Sequence, residues 1–268
     1  METAATATAE PRRAWWRYAA PNLVTATSIV FGVLAVVAAI DGRPVAAAWW
    51  ALYCTLTDRV DGALAKALKG GSAFGVQLDS LADLVSFGVA PAAVFYAYFS
   101  RQPALGWADG LGRVALVCFC ALWALATAIR LARFNVIAAG GAATHYTGTP
   151  STMTAGTVGA LFIAALKYAD PKWRGSEWID HWRLLGGLET DGVLRFVPLL
   201  LPIGAFGMLS PLRVPRLGRT RSRVTDVLLA AGVISGYTSG LFHHLPEYLA
   251  FGGLYYLVVC FAYHLRTA

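Results

Sequence analysis

Apolar runs long enough to cross a bilayer recur along this chain, near residues 22–40, 45–68, 79–99, 112–134, 151–168, 194–210, 225–242 and 247–265. A hydrocarbon core about 30 Å thick takes roughly 20 apolar residues to span as a helix. Inside it, each backbone N–H and C=O must find its partner within the protein. The runs therefore read as an all-α, polytopic membrane bundle of about eight transmembrane helices, with boundaries good to about four residues. Residues 1–20 form a cytoplasmic juxtamembrane segment and residues 21–268 one transmembrane domain.

Composition points the same way. Of 268 residues, 57% are apolar and 14% charged, and the mean hydropathy is +0.55. A soluble globular domain carries about 25% charged residues. A disordered chain, a disulfide scaffold and an ordinary cytosolic enzyme are excluded. The net charge of +7 fits basic loops facing anionic headgroups rather than a nucleic-acid partner. Cys54, Cys118, Cys120 and Cys260 lie in apolar stretches without metal-ligand spacing and read as small hydrophobes.

Basic residues fix the expected orientation. With eight spans, thirteen Lys and Arg fall on the side of the N-terminus and eight on the other, with Arg59 inside a span. Arg213, Arg216, Arg219, Arg221 and Arg223 between spans six and seven weigh most. By the positive-inside rule both termini are cytoplasmic. The segment from Arg12 to Tyr18, with Trp15 and Trp16, reads either as an amphipathic lead-in at headgroup level or as a tail with an aromatic anchor. The apolar run that follows is span-length and lacks the obvious Ala-x-Ala exit of a cleaved signal.

Of fifteen Asp and Glu, eleven fall in tails, loops or span ends. The other four, Asp58, Asp61, Asp79 and Asp83, occupy the cytoplasmic halves of spans two and three. A charge at the bilayer centre costs about 2.5–3.5 kcal/mol on insertion scales, so something must offset four. Asp58 and Asp61 share a helix face at i,i+3, and Asp79 and Asp83 share another at i,i+4. The short turn Lys69-Gly70-Gly71-Ser72 makes the two helices antiparallel neighbours, so the four carboxylates converge. Divalent cations between them would relieve their repulsion, and oxygen-only ligands favour Mg²⁺, Mn²⁺ or Ca²⁺ over zinc. Gly62, Ala65 and Gly75 leave bare helix surface beside the acids, and Lys66 adds a cation. Together they suggest a pyrophosphate ligand. For the glycines, plain helix packing is the competing reading. An ion-coupled transporter is the rival from another class, since intramembrane acids mark ion paths. Against it, all four acids fall within one short stretch and no second copy exists.

The run Asp58-Arg59-Val60-Asp61-Gly62-Ala63-Leu64-Ala65-Lys66, followed at fixed spacing by Gly75, Asp79 and Asp83, resembles the signature of the CDP-alcohol phosphotransferase family, D-x2-D-G-x2-A-R-x8-G-x3-D-x3-D. Seven of its eight fixed positions match, the exception being Lys66 in place of arginine. Leu78 to Pro91, Arg130-Leu131-Ala132-Arg133-Phe134-Asn135, Gly148-Thr149-Pro150 and the opening Pro21-Asn22-Leu23-Val24-Thr25 are similar to its phosphatidylserine synthase branch. The matches cover residues 20–150.

The resemblance implies a six-helix core plus two further helices, and a homodimer in the cell membrane with its site facing the cytoplasm. It implies CDP-diacylglycerol and L-serine as substrates and two divalent ions, Mg²⁺ or Mn²⁺. Asp58, Asp61 and Asp79 would be metal ligands, and Asp83 both ligand and general base. Asn22, Gly62, Ala65, Lys66 and Gly75 would hold the CDP-lipid. Another acceptor alcohol, such as glycerol 3-phosphate, an inositol phosphate or choline, is the alternative within the class. Arg130, Arg133 and Asn135 read either as holding the serine carboxylate or lipid phosphate, or, for the arginines, as anchors snorkelling to headgroups. Asn22 and Thr25 share a face and read as cavity lining or helix cap. Ser86 reads as helix packing, and the His243-His244 pair as no metal site.

Overall fold

The computed structural model describes residues 15–68, 72–139, 146–169, 171–173, 179, 192–214, 232 and 235–267. Among these the chain is nearly all helical. The helices are α1 (Trp16–Ile40), α2 (Pro44–Leu68), α3 (Ala73–Phe99), α4 (Gly110–Ala139), α5 (Ser151–Ala169), α6 (Val193–Leu209) and α7 (Pro246–Thr267), with a further short helix at 235–241. Five are long and apolar enough to cross a membrane: α1, α3, α4, α5 and α7. The all-α membrane reading is borne out. The expected span at 225–242 and the polar stretch at 169–193 lie largely outside the described residues, as do residues 12–14 of the N-terminal segment.

α1 and α2 form a tight hairpin. Ala35, Ala38 and Ala39 on one helix and Ala46, Ala47 and Ala48 on the other are buried, and such small side chains let two backbones approach closely. Gly42, at φ +73°, closes α1 in the left-handed conformation that favours glycine. The Arg101 guanidinium donates to the carbonyls of Ala39 and Ile40 at 3.3 and 3.1 Å, satisfying acceptors that the helix end leaves open.

α3 begins earlier than its apolar run suggests, at Ala73 rather than near 79. The Ser72 hydroxyl caps it, accepting from the Gly75 N–H at 3.0 Å. The acids of α3 thus sit two and three turns in, not at its start. Directly after Asp83, residues Leu84–Val89 wind as a π-helix. Pro91 has no N–H to return to the preceding turn, and the Trp123 indole donates to the Phe87 carbonyl there at 2.8 Å. Ser86, fully buried, bonds Ser28 of α1 through its hydroxyl at 2.9 Å, which is the packing role expected of it.

The remaining helices close around a core that includes Phe95, Phe99, Phe162 and Trp123. A two-residue antiparallel pairing, β1 (Tyr146–Thr147) with β2 (Arg213–Val214), ties the start of α5 to the end of α6. Two residues a side are too short for a period-two pattern to announce this ladder. Gly148 follows at φ +77°, where a Cβ would strike the Met208 carbonyl. Lys167 of α5 and Glu247 of α7 form an ion pair at 3.0 Å, with 1% and 2% of their side chains exposed. Mutual neutralisation permits their burial. His243, between 235–241 and α7, bonds the Tyr53 hydroxyl at 2.5 Å and lies edge-on to Trp49. Burial foremost, then the neighbouring His244, holds its imidazole below the usual pKa.

Candidate active site

Three carboxylates meet where α2 passes α3. One oxygen each from Asp58, Asp61 and Asp79 lies within 4.8 Å of the other two. The i,i+3 and i,i+4 spacings supply this convergence once the helices run antiparallel. Asp61 is buried, whereas Asp58 and Asp79 are half-buried. An all-oxygen, all-anionic donor set of this span fits a divalent cation of the Mg²⁺ or Mn²⁺ kind.

Asp83 stands outside this trio. One turn beyond Asp79, its carboxyl faces that of Asp58 at hydrogen-bonding range. Arg130 of α4 lies within electrostatic reach of both. The π segment starting at residue 84 redirects the rest of α3 immediately after this carboxylate, a placement common at functional sites.

Neighbouring hydroxyls orient the acids. Thr25 of α1 donates to Asp61 Oδ2 at 2.7 Å, and Thr152 of α5 lies near the Asp58 carboxylate. The cavity-lining reading of Thr25 matches its contact. Thr152 was not singled out from the sequence; its signal was the Pro150-Ser151-Thr152 start of α5.

The two glycines differ. A Cβ on Gly75 would lie 2.9 Å from Asn22 Oδ1 and 3.2 Å from Ser72 Oγ, so bare backbone here lets α1 and α3 meet. A Cβ on Gly62 would meet nothing within 4 Å. Helix packing accounts for Gly75 but not for Gly62, which lies exposed beside Asp61. Ala65 is half-buried and Lys66 exposed on the same helix.

The basic residues of α4 also part ways. Arg133 is bound to main-chain carbonyls: Nη2 donates to Thr147 at 2.8 Å and Met208 at 3.2 Å, and Nη1 to Leu209 at 3.5 Å. It fastens α4 to β1 and the end of α6. Asn135 Nδ2 donates to Ser80 Oγ at 2.8 Å, one residue from Asp79, and so ties α4 to α3. Arg130 donates from Nη1 to Ser151 Oγ at 2.9 Å, while its buried Nε has no hydrogen-bond partner among the described residues. Arg130 thus pairs a buried donor without a partner among the described residues with electrostatic reach to Asp58 and Asp83.

A family model for CDP-alcohol phosphatidyltransferases matches residues 18–187, which include all four aspartates. The chain belongs to this family. The resemblance carried by residues 58–83 is thereby borne out. As a CDP-alcohol phosphatidyltransferase it has curated relatives of moderate identity. One is the CDP-diacylglycerol–serine O-phosphatidyltransferase of Helicobacter pylori, 34% identical over 185 residues, or 69% of this chain and 72% of that protein. Another, of the same name, is from Mycobacterium leprae, at 32% over 60% of this chain and 52% of the relative. The archaetidylserine synthase of Methanothermobacter thermautotrophicus is 33% identical over 54% of this chain and 58% of its own. The matches thus span 72% of the first relative's length and little more than half of the other two.

Proposed function

We propose that this membrane protein transfers a phosphatidyl group from CDP-diacylglycerol to the hydroxyl of L-serine, releasing phosphatidylserine and CMP. The carboxylate cluster of Asp58, Asp61 and Asp79 beside a separate Asp83 carries the reading. The names of the relatives support serine as acceptor.

Asp58, Asp61 and Asp79 hold divalent cation, Mg²⁺ or Mn²⁺, with Asp83 within reach as a further ligand. When bound, the ions neutralise the pyrophosphate and the charge that grows on departing CMP. Asp83 accepts the serine hydroxyl proton. The serine oxygen bonds to the phosphorus that carries diacylglycerol, the bond from that phosphorus to the CMP oxygen breaks, and CMP leaves. Arg130 receives the serine carboxylate through its unpaired Nε. Gly62 and Ala65 let the cytidine part approach α2, and Lys66 supports the phosphates as a point charge where the family arginine would grip two oxygens. Asn22 and Gly75 shape the α1–α3 wall, and Arg133 and Asn135 hold the frame of that pocket. The site opens to the cytoplasm, both termini lie there, and the enzyme works as a homodimer in the cell membrane.

An acceptor panel with CDP-diacylglycerol in detergent tests the reading. CMP release is expected with L-serine and not with glycerol 3-phosphate, inositol phosphate or choline. Release with one of those and not with serine would overturn the serine assignment while leaving the reaction class intact.

A further inference from the structure

One helical turn beneath the acids, three helices meet through small polar side chains. Ser28 lies one turn past Thr25 on α1, Cys54 one turn before Asp58 on α2, and Ser86 one turn past Asp83 on α3. Because α1 and α3 run opposite to α2, all three steps lead the same way along the bundle, and the three residues form one buried layer. The Ser86 hydroxyl donates to the Ser28 carbonyl at 3.1 Å. Its one proton is then committed, so the 2.9 Å contact between the two hydroxyls is a donation from Ser28. The Cys54 thiol lies 3.4 Å from the same carbonyl as a weak donor.

These contacts grip the π turn Leu84–Val89 from the α1 side. Gly32 completes the grip: a Cβ there would lie 3.2 Å from Val85 Cγ1 and 3.5 Å from Ser86 Cα. From the α4 side the Trp123 indole holds the Phe87 carbonyl at 2.8 Å. A π turn takes in one residue more than an α turn and is rare, and here it begins directly after Asp83. One residue of slippage would turn Asp83 by about 100° and shift it by about 1.5 Å against the anchored half of α3. Misplacement of about 1 Å can cost about 10²-fold in rate. We infer that Ser86 is a positioning residue: together with Ser28 it holds the π turn that aims the Asp83 carboxylate at the acceptor hydroxyl. The inference rests on the reading of Asp83 as proton acceptor and names what fixes its aim.

Ser86→Ala removes the hydroxyl. Turnover of the purified, monodisperse full-length enzyme is measured with varied CDP-diacylglycerol and L-serine. kcat should fall about ten- to hundredfold, with both KM values and the Mn²⁺ affinity within about twofold of wild type. Ser28→Ala should do the same, and the double variant should be no slower than the worse single one, because the two hydroxyls act as a unit. In an Asp83→Asn background, Ser86→Ala should slow the residual turnover by less than about twofold, since its effect runs through that carboxylate. An equal fall in both backgrounds overturns the inference, as does a kcat within about twofold of wild type or a raised KM with kcat unmoved. Should Ser86→Ala not yield folded enzyme, Gly32→Ala crowds the same turn with both hydroxyls in place. Its kcat should fall about fivefold or more with the KM values kept, and a wild-type kcat would overturn the inference. Near-normal turnover in Asp83→Asn would overturn the proton-acceptor reading and this inference with it. A slow Asp83→Asn beside an unaffected Ser86→Ala overturns this inference alone.

Discussion

The hydroxyl of Thr25 donates to Asp61 Oδ2 at 2.7 Å, joining the middle of α1 to the buried member of the carboxylate cluster 36 residues away. Thr25 is itself buried. Partners of this kind orient a ligating carboxylate, and their loss typically costs about 10–100-fold in metal affinity or activity. Thr25→Val should therefore raise the Mg²⁺ or Mn²⁺ concentration for half-maximal turnover by about tenfold or more, while Thr25→Ser stays near wild type. A metal titration of CMP release checks both.

Asp83 faces Asp58 rather than joining the trio. Asp83→Asn should lower kcat by about 10²–10⁴-fold, the range for a general base, with the protein folded and still binding CDP-diacylglycerol. Near-normal turnover in this variant would contradict the proton-acceptor role.

Gly62 and Gly75 make a paired test. Gly62→Ala meets no protein atom within 4 Å, so stability should hold or rise by up to about 1 kcal/mol from helix propensity. Its KM for CDP-diacylglycerol should still increase. Gly75→Ala meets Asn22 and Ser72 and should lower the melting temperature. Thermal unfolding in detergent beside substrate kinetics separates the two effects.

Arg130 and Arg133 should likewise separate. Arg133→Ala leaves carbonyls of Thr147, Met208 and Leu209 without their donor, at a cost of about 1–3 kcal/mol for each that stays buried and unsatisfied. A drop in melting temperature is expected. Arg130→Lys keeps the charge but loses the planar fork and should raise the serine KM with little change in melting temperature. The same stability loss in both would contradict the distinction.

The spacing of residues 58 to 83 made the cluster legible, because helical periodicity places four acids on two facing helices whatever the rest of the chain does. The separation of Arg133 and Asn135 from Arg130 was not legible. All three share one short stretch of α4, and only the fold decides which carbonyls or hydroxyls come within reach. The early start of α3 was hidden for a different reason. Hydropathy reports where lipid is favourable, whereas the Ser72 cap reports where hydrogen bonding begins. The π segment after Asp83 and the ladder of β1 with β2 arise from contacts distant in sequence, such as Trp123 with Phe87. The Lys167–Glu247 pair was obscured because each residue alone reads as a polar end.

Mn²⁺ binding to the purified protein, followed by electron paramagnetic resonance, tests the central claim most directly. Wild type should immobilise Mn²⁺ in a form that EDTA strips, with CMP release lost on stripping and restored by Mg²⁺ or Mn²⁺. Asp58→Asn, Asp61→Asn and Asp79→Asn should each weaken that signal. Undiminished Mn²⁺ binding in all three, or serine transfer that persists in EDTA, would contradict a shared metal site built from these side chains.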